Sequence, residues 1–133
     1  MSDPELDRVV ADWLRFATGD LSSAEAMLRD RVAFDPRHAC YAAQQAAEKS
    51  LKAVCVARQI AFPFSHDLEE LVGLLDADDE SVRASHELAW LSQWAVNPRY
   101  PGTREPDWAD AERACGEGRA VVEAATRDVE AGR

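Results

Sequence analysis

The chain has 133 residues, 47% of them hydrophobic, a formal charge of −10 and a pI near 4.7. That length suits one domain, and that hydrophobic share excludes a disordered chain. The net negative field excludes a general nucleic-acid coat, because it repels phosphate backbones. The charge is nevertheless uneven. Residues 31–60 carry +3, whereas residues 61–98 carry −7, from eight acids against Arg83. A local anion site or a basic partner is compatible with that split.

Strand signals are almost absent, and helical periodicity recurs along the chain. A first helix is predicted from Ser2 or Asp3 as N-cap, with Pro4 near its first position. Its apolar stripe runs Leu6, Val10, Trp13, Phe16 or Ala17, Leu21, Ala24 and Leu28, ending near Arg31. Asp35-Pro36 restarts a helix that extends to about Gln59. A loop follows, then a short helix after Ser65 or His66 carrying Leu68, Leu71, Leu74 and Leu75.

The acidic run 76–80 separates this from a helix over 81–96, with Ala84, Leu88, Leu91 and Ala95 inward. That run lacks the later ligands and the glycine of a calcium loop, and reads as a solvated helix start. Within the 81–96 helix, Trp90 and Trp94 are offset from the core stripe. Packing under the last helix, with His86 against Trp90, or a dimer seam explains the offset. Two prolines and a glycine make 97–102 a loop. The last helix spans Asp107 to about Glu130, with Trp108, Ala111, Cys115, Ala120, Val121 and Ala124 inward. The expected fold is all-α: an antiparallel four-helix up-and-down bundle with one additional short helix, as a single domain over 1–133.

Cys40, Cys55 and Cys115 are odd in number and widely spaced. On one helix, Cys40 and Cys55 would stand about 22 Å apart, too far to bridge. Reduced thiols and a cytoplasmic location are expected. The start, MSDPELDRVV, lacks the charged and apolar regions of a secretion signal, and no stretch approaches a membrane span. No His/Cys/carboxylate set has metal-ligand spacing, so neither metal nor cofactor is expected.

The helix over 36–59 divides into two faces. Tyr41, Gln44, Gln45, Glu48, Lys49 and Lys52 fall within about 140° of the helical wheel. Mostly small residues, Ala39 to Val54, fill the opposite side. The polar face reads either as a solvated surface, with Glu48 and Lys52 paired at i,i+4, or as a ligand or interface face. Lys49 has no carboxylate four residues away in either direction, which favours an anion. The candidate ligand-binding set is Tyr41, Gln44, Gln45, Glu48, Lys49 and Lys52, with His66 at the next helix start and Arg99 and Tyr100 in the proline-held loop. Taken alone, His66 reads as a cap residue and His38 as a first-turn residue.

The string CYAAQQAAEKSLKAV followed by FSHDLEEL resembles the signature of the HEPN family. DLSSAEAML at 20–28 and NPRYPG at 97–102 resemble further segments of it, and the similarity covers roughly residues 8–125. The resemblance implies a four-helix bundle with a short extra helix, and dimerisation. It also implies, for many small members, pairing with a minimal nucleotidyltransferase in modules that look like toxin–antitoxin systems. Other members are metal-independent ribonucleases with an Arg-x(4–6)-His motif near the last long helix. Here no histidine follows Arg99. Arg31 and His38 have the formal spacing but flank the loop before the second helix. The implied function is therefore a dimeric partner of a nucleotidyltransferase, with a nucleotide as candidate ligand, RNA not expected and no catalytic residue assigned. The alternative is a ribonuclease toxin with an atypical active site.

Overall fold

A computed structural model describes residues 3–95 and 105–132. Its long helices are α1 (Pro4–Arg29), α2 (Pro36–Ala57) and α6 (Trp108–Ala131). Three short ones lie between the last two: α3 (Leu68–Val72), α4 (Glu80–Arg83) and α5 (Leu88–Ser92), the last running into a 3₁₀ turn at Gln93–Ala95. No strand occurs among the described residues, and no helix there is long and apolar enough to cross a membrane.

Each long helix starts on an aspartate that satisfies the first free amides. Asp3 accepts from the amides of Glu5 and Leu6 at 3.0 and 3.3 Å, ahead of Pro4. Asp35 accepts from the Arg37 amide at 2.9 Å, while His38 Nδ1 accepts the Asp35 amide at 3.2 Å. Asp107 and Asp110 cap each other's amides reciprocally.

Helix α2 is the centre of the bundle, flanked by α1 and α6. Ala39, Ala43, Ala46, Ala47, Leu51, Ala53 and Val54 are fully buried. The small side chains let backbones approach closely. At Gly118 of α6, an added Cβ would stand 2.9 Å from the Ala43 carbonyl oxygen, so glycine is required there. On α1 the inward choice at the fourth turn is Ala17, buried, while Phe16 stays exposed under the Arg15 guanidinium.

The region expected as one helix over 81–96 is divided. The Ser85 hydroxyl donates to the Ser81 carbonyl, and the Ser85 amide turns instead to Val82 at 3.1 Å. At this point α4 stops, and α5 restarts at Leu88 with Leu88 and Leu91 inward. The start of α4 is held from across the bundle. Asp128 of α6 accepts the amides of Glu80 and Ser81, both at 2.8 Å, and the Ser81 hydroxyl. Arg58 reinforces the corner through Asp79 at 2.8 Å.

Several inward assignments shift. Leu74 is exposed beyond the end of α3, and Ala120 is exposed on α6. Trp94 is buried, and Trp90 meets it edge-on at 5.7 Å with the Arg113 guanidinium 3.9 Å above its ring. The tryptophan pair thus packs under α6, whereas His86 is exposed. All three cysteines are buried thiols, and burial pushes the Cys115 thiol up to about 11.

Candidate functional site

The polar face of α2 is not simply solvated. Gln44, Glu48 and Lys52 recur every four residues, which stacks them along one stripe, and all three are buried. The walls come from elsewhere: Trp13 of α1 and Phe62 of the loop after α2 meet edge-on at 6.3 Å. The Lys52 ammonium lies 5.7 and 5.6 Å from their ring centres, so its charge faces two aromatic surfaces and one carboxylate.

That carboxylate is Glu48, 3% exposed. One oxygen accepts from Lys52 Nζ at 3.0 Å. The other pairs with His66 Nδ1 at 2.9 Å and lies 3.4 Å from Gln44 Nε2. Gln44 Nε2 also donates to the His66 carbonyl at 3.1 Å, and Gln45 Nε2 donates to Gln44 Oε1 at 2.8 Å. The network fixes His66 at both its backbone and its ring. When the ring is neutral, Glu48 places the ring proton on Nδ1 and the lone pair on Nε2. The side chain is 58% exposed. His66 borders a shallow, open depression of about 430 Å³ that Asp67, Glu69, Ser92 and Gln93 also line. A buried carboxylate therefore orients an imidazole that presents an acceptor to solvent, an arrangement suited to ligand recognition and to proton transfer.

The structure joins Gln44, Gln45, Glu48, Lys52 and His66 into one cluster. Lys49 points away from it, to Asp20 of α1 at 2.6 Å. Its carboxylate partner, absent from its own helix, comes from the neighbouring one. Tyr41 is half-buried on the same helix. Arg99 and Tyr100 lie outside the described residues. Sequence reasoning missed Asp20, Trp13 as a wall of this site, and Phe62. Each reaches the cluster through a contact between elements, for which no local spacing rule exists.

Arg31 and His38 have other work. Arg31 pairs with Glu112 at 2.6 Å and stacks 4.9 Å from the Trp108 ring centre. His38 Nδ1 accepts the Asp35 amide in the α2 cap. Among the described residues, no group of three or more His, Cys, Asp or Glu could hold a metal ion.

Known structures share this fold. TT1696 from Thermus thermophilus aligns with a TM-score of 0.72 at 26% identity, covering 90% of this chain and 97% of that one. ST0689, an archaeal HEPN homologue, aligns with a TM-score of 0.68 at 20% identity over the same shares. No curated protein matches the chain. The sequence model of the HEPN domain matches residues 10–129, a span that takes in α2, the His66 turn and most of α6. The chain therefore belongs to the HEPN domain family.

Proposed function

We propose that this HEPN protein is a single-domain, non-nucleolytic binding module of the cytoplasm. It forms a homodimer, associates with a minimal nucleotidyltransferase in a toxin–antitoxin-like pair, and holds a nucleotide at the edge of α2. The observation that carries the reading is the Glu48 cluster: a buried carboxylate whose partners end in an exposed, oriented imidazole beside an open depression. The use of Arg31 and His38 in packing and capping supports the non-nucleolytic half.

The geometry restricts how a nucleotide is held. Lys52 is enclosed by Glu48, Trp13 and Phe62, so it cannot reach a phosphate without exposing a buried carboxylate. Lys49 and Asp20 are both near the surface, and phosphate can displace Asp20. Lys49 faces α1 and His66 faces the depression, so a nucleotide held by both spans the edge of α2, with its phosphate on Lys49 and its base or ribose donating to His66 Nε2. Calorimetric titration with ATP, GTP and their monophosphates tests this, with heat expected from at least one and lost in Lys49→Ala and His66→Ala. No heat from any of them removes the nucleotide from the reading. Sedimentation showing only monomer at tens of micromolar, roughly the affinity range of ordinary dimers, removes the homodimer.

The same Glu48–His66 pair supports a second reading, a ribonuclease with an atypical site. There His66 Nε2 accepts the 2′-hydroxyl proton as that oxygen attacks the adjacent phosphorus; the P–O5′ bond breaks, the 5′-oxygen leaves with a proton from water, and a 2′,3′-cyclic phosphate remains. Metal-free RNA cleavage lost in both His66→Ala and Arg99→Ala would select this reading over the first.

A further inference from the structure

The break between α4 and α5 leaves a notch against the flank of α6, far from the Glu48 cluster in sequence. Ala84, Leu88 and Leu91 line it from one side and Gly116, Glu117 and Val121 from the other, around about 250 Å³. Two features of α6 at this notch have no explanation among the described residues.

The first is Gly116. A glycine inside a helix is costly relative to alanine, because it loses more backbone freedom on folding. Gly118 justifies that cost, since an added Cβ would collide with the Ala43 carbonyl. At Gly116 an added Cβ would meet nothing within 4 Å. No neighbour requires glycine there, yet its missing side chain widens the notch.

The second is Glu117. One of its oxygens accepts from Arg113 Nε at 3.0 Å, while Oε2 is enclosed with no hydrogen-bond donor among the described residues. An enclosed oxygen without a donor has lost its hydration with nothing in return, which is costly. Burial correspondingly pushes the Glu117 carboxyl up. Arg113 is shared with Glu87 at 3.3 Å and held over the Trp90 ring, so one cation faces two carboxylates.

We propose that the notch binds a small molecule with an aryl or compact alkyl body and a cationic N–H head, an amidine or amine. The body lies over Gly116, between Ala84 and Ala120, with the buried Leu88, Leu91 and Val121 as its floor. The head donates to Glu117 Oε2, which has no donor among the described residues, while Arg113 holds the other oxygen. The volume is adequate, because a cavity of about 150 Å³ already accepts benzene.

Benzamidine is the probe, with benzamide and benzoate as neutral and anionic rings of the same shape. Titration of ¹⁵N-labelled protein should give saturable amide shifts at Leu88, Gly116 and Glu117, with a dissociation constant of about 1 mM for so small a ligand. Benzamide should bind about tenfold more weakly, having lost the charge-assisted bond, and benzoate not at all. Gly116→Leu should abolish binding by filling the notch while thermal melting shows the fold retained. Glu117→Gln should make benzamidine and benzamide bind alike. Benzoate binding as well as benzamidine, benzamidine binding unchanged in either variant, or no saturation by benzamidine would overturn the proposal.

Discussion

Asp128 and Glu48 are both carboxylates sealed inside the bundle, 4% and 3% exposed, yet their donors differ in kind. Asp128 receives two backbone amides and a hydroxyl, all from the first turn of α4. Glu48 receives side chains only, from Gln44, Lys52 and His66. Backbone donors cannot swing away, so Asp128 fixes where a helix begins and nothing more. Side-chain donors connect outward, and one of those at Glu48 ends in an exposed imidazole. Both charges are satisfied, but at Glu48 the satisfaction reaches a group that solvent and ligands can touch.

The contrast is most severely tested at Asp128. Asp128→Ala leaves two amides and a hydroxyl without their acceptor at a buried corner, and should lower unfolding stability by about 4 kcal/mol in urea titration. Loss of less than a quarter of that would show that water replaces the carboxylate and that the corner is not sealed. At Glu48 the single change should be nearly as costly. Glu48→Ala strands the Lys52 ammonium between two rings and should cost about 3 kcal/mol. Here, however, a double replacement should rescue. Glu48→Leu with Lys52→Met should recover most of that loss, because apolar groups of similar volume can replace a buried pair. No such rescue exists for Asp128, whose donors belong to the backbone. Failure of the double variant to recover would place the two carboxylates in one class.

The helices that carry these carboxylates meet where Gly118 faces Ala43. Gly118→Ala should cost about 2 kcal/mol through overpacking against a carbonyl that cannot move. Gly116→Ala, two residues away in open space, should instead raise stability by up to about 1 kcal/mol. Equal melting shifts for the two variants would mean that α2 and α6 are not in tight contact.

Asp35 gives the smallest and most graded case, a carboxylate on a backbone amide but half in water. The Arg37 amide, and then its guanidinium, hold the Asp35 carboxyl below the ordinary aspartate range. A lowered folded value means that the contribution is present above the unfolded pKa and fades as pH falls through the folded one. Asp35→Ala should therefore lose about 1 kcal/mol near neutral pH, and its stability curve should converge with that of the unmodified protein in acid. A gap that persists unchanged to low pH would assign the effect to lost packing rather than to the ionised cap.

Local spacing carried the helical class, the three long helices and their starts. Aspartate caps, Pro4 and Pro36, and i,i+4 apolar stripes act within a turn or two of chain, so they are legible in sequence. The polar stripe of α2 was legible for the same reason, including the Glu48–Lys52 pair. Its burial was not, because Trp13 and Phe62 close over it from other elements. Lys49 lacks a partner on its own helix, and only folding brings Asp20 to it. The division of the 81–96 segment was hidden likewise. The start of α4 inside it is held by a carboxylate 47 residues from Ser81, a contact with no local spacing rule. The sequence by itself determined which segments are helical and which face of α2 is polar, because those properties repeat with the period of the backbone. Only the tertiary structure decided that Glu48 would be buried and His66 left exposed, because burial is set by what packs against a residue from distant parts of the chain.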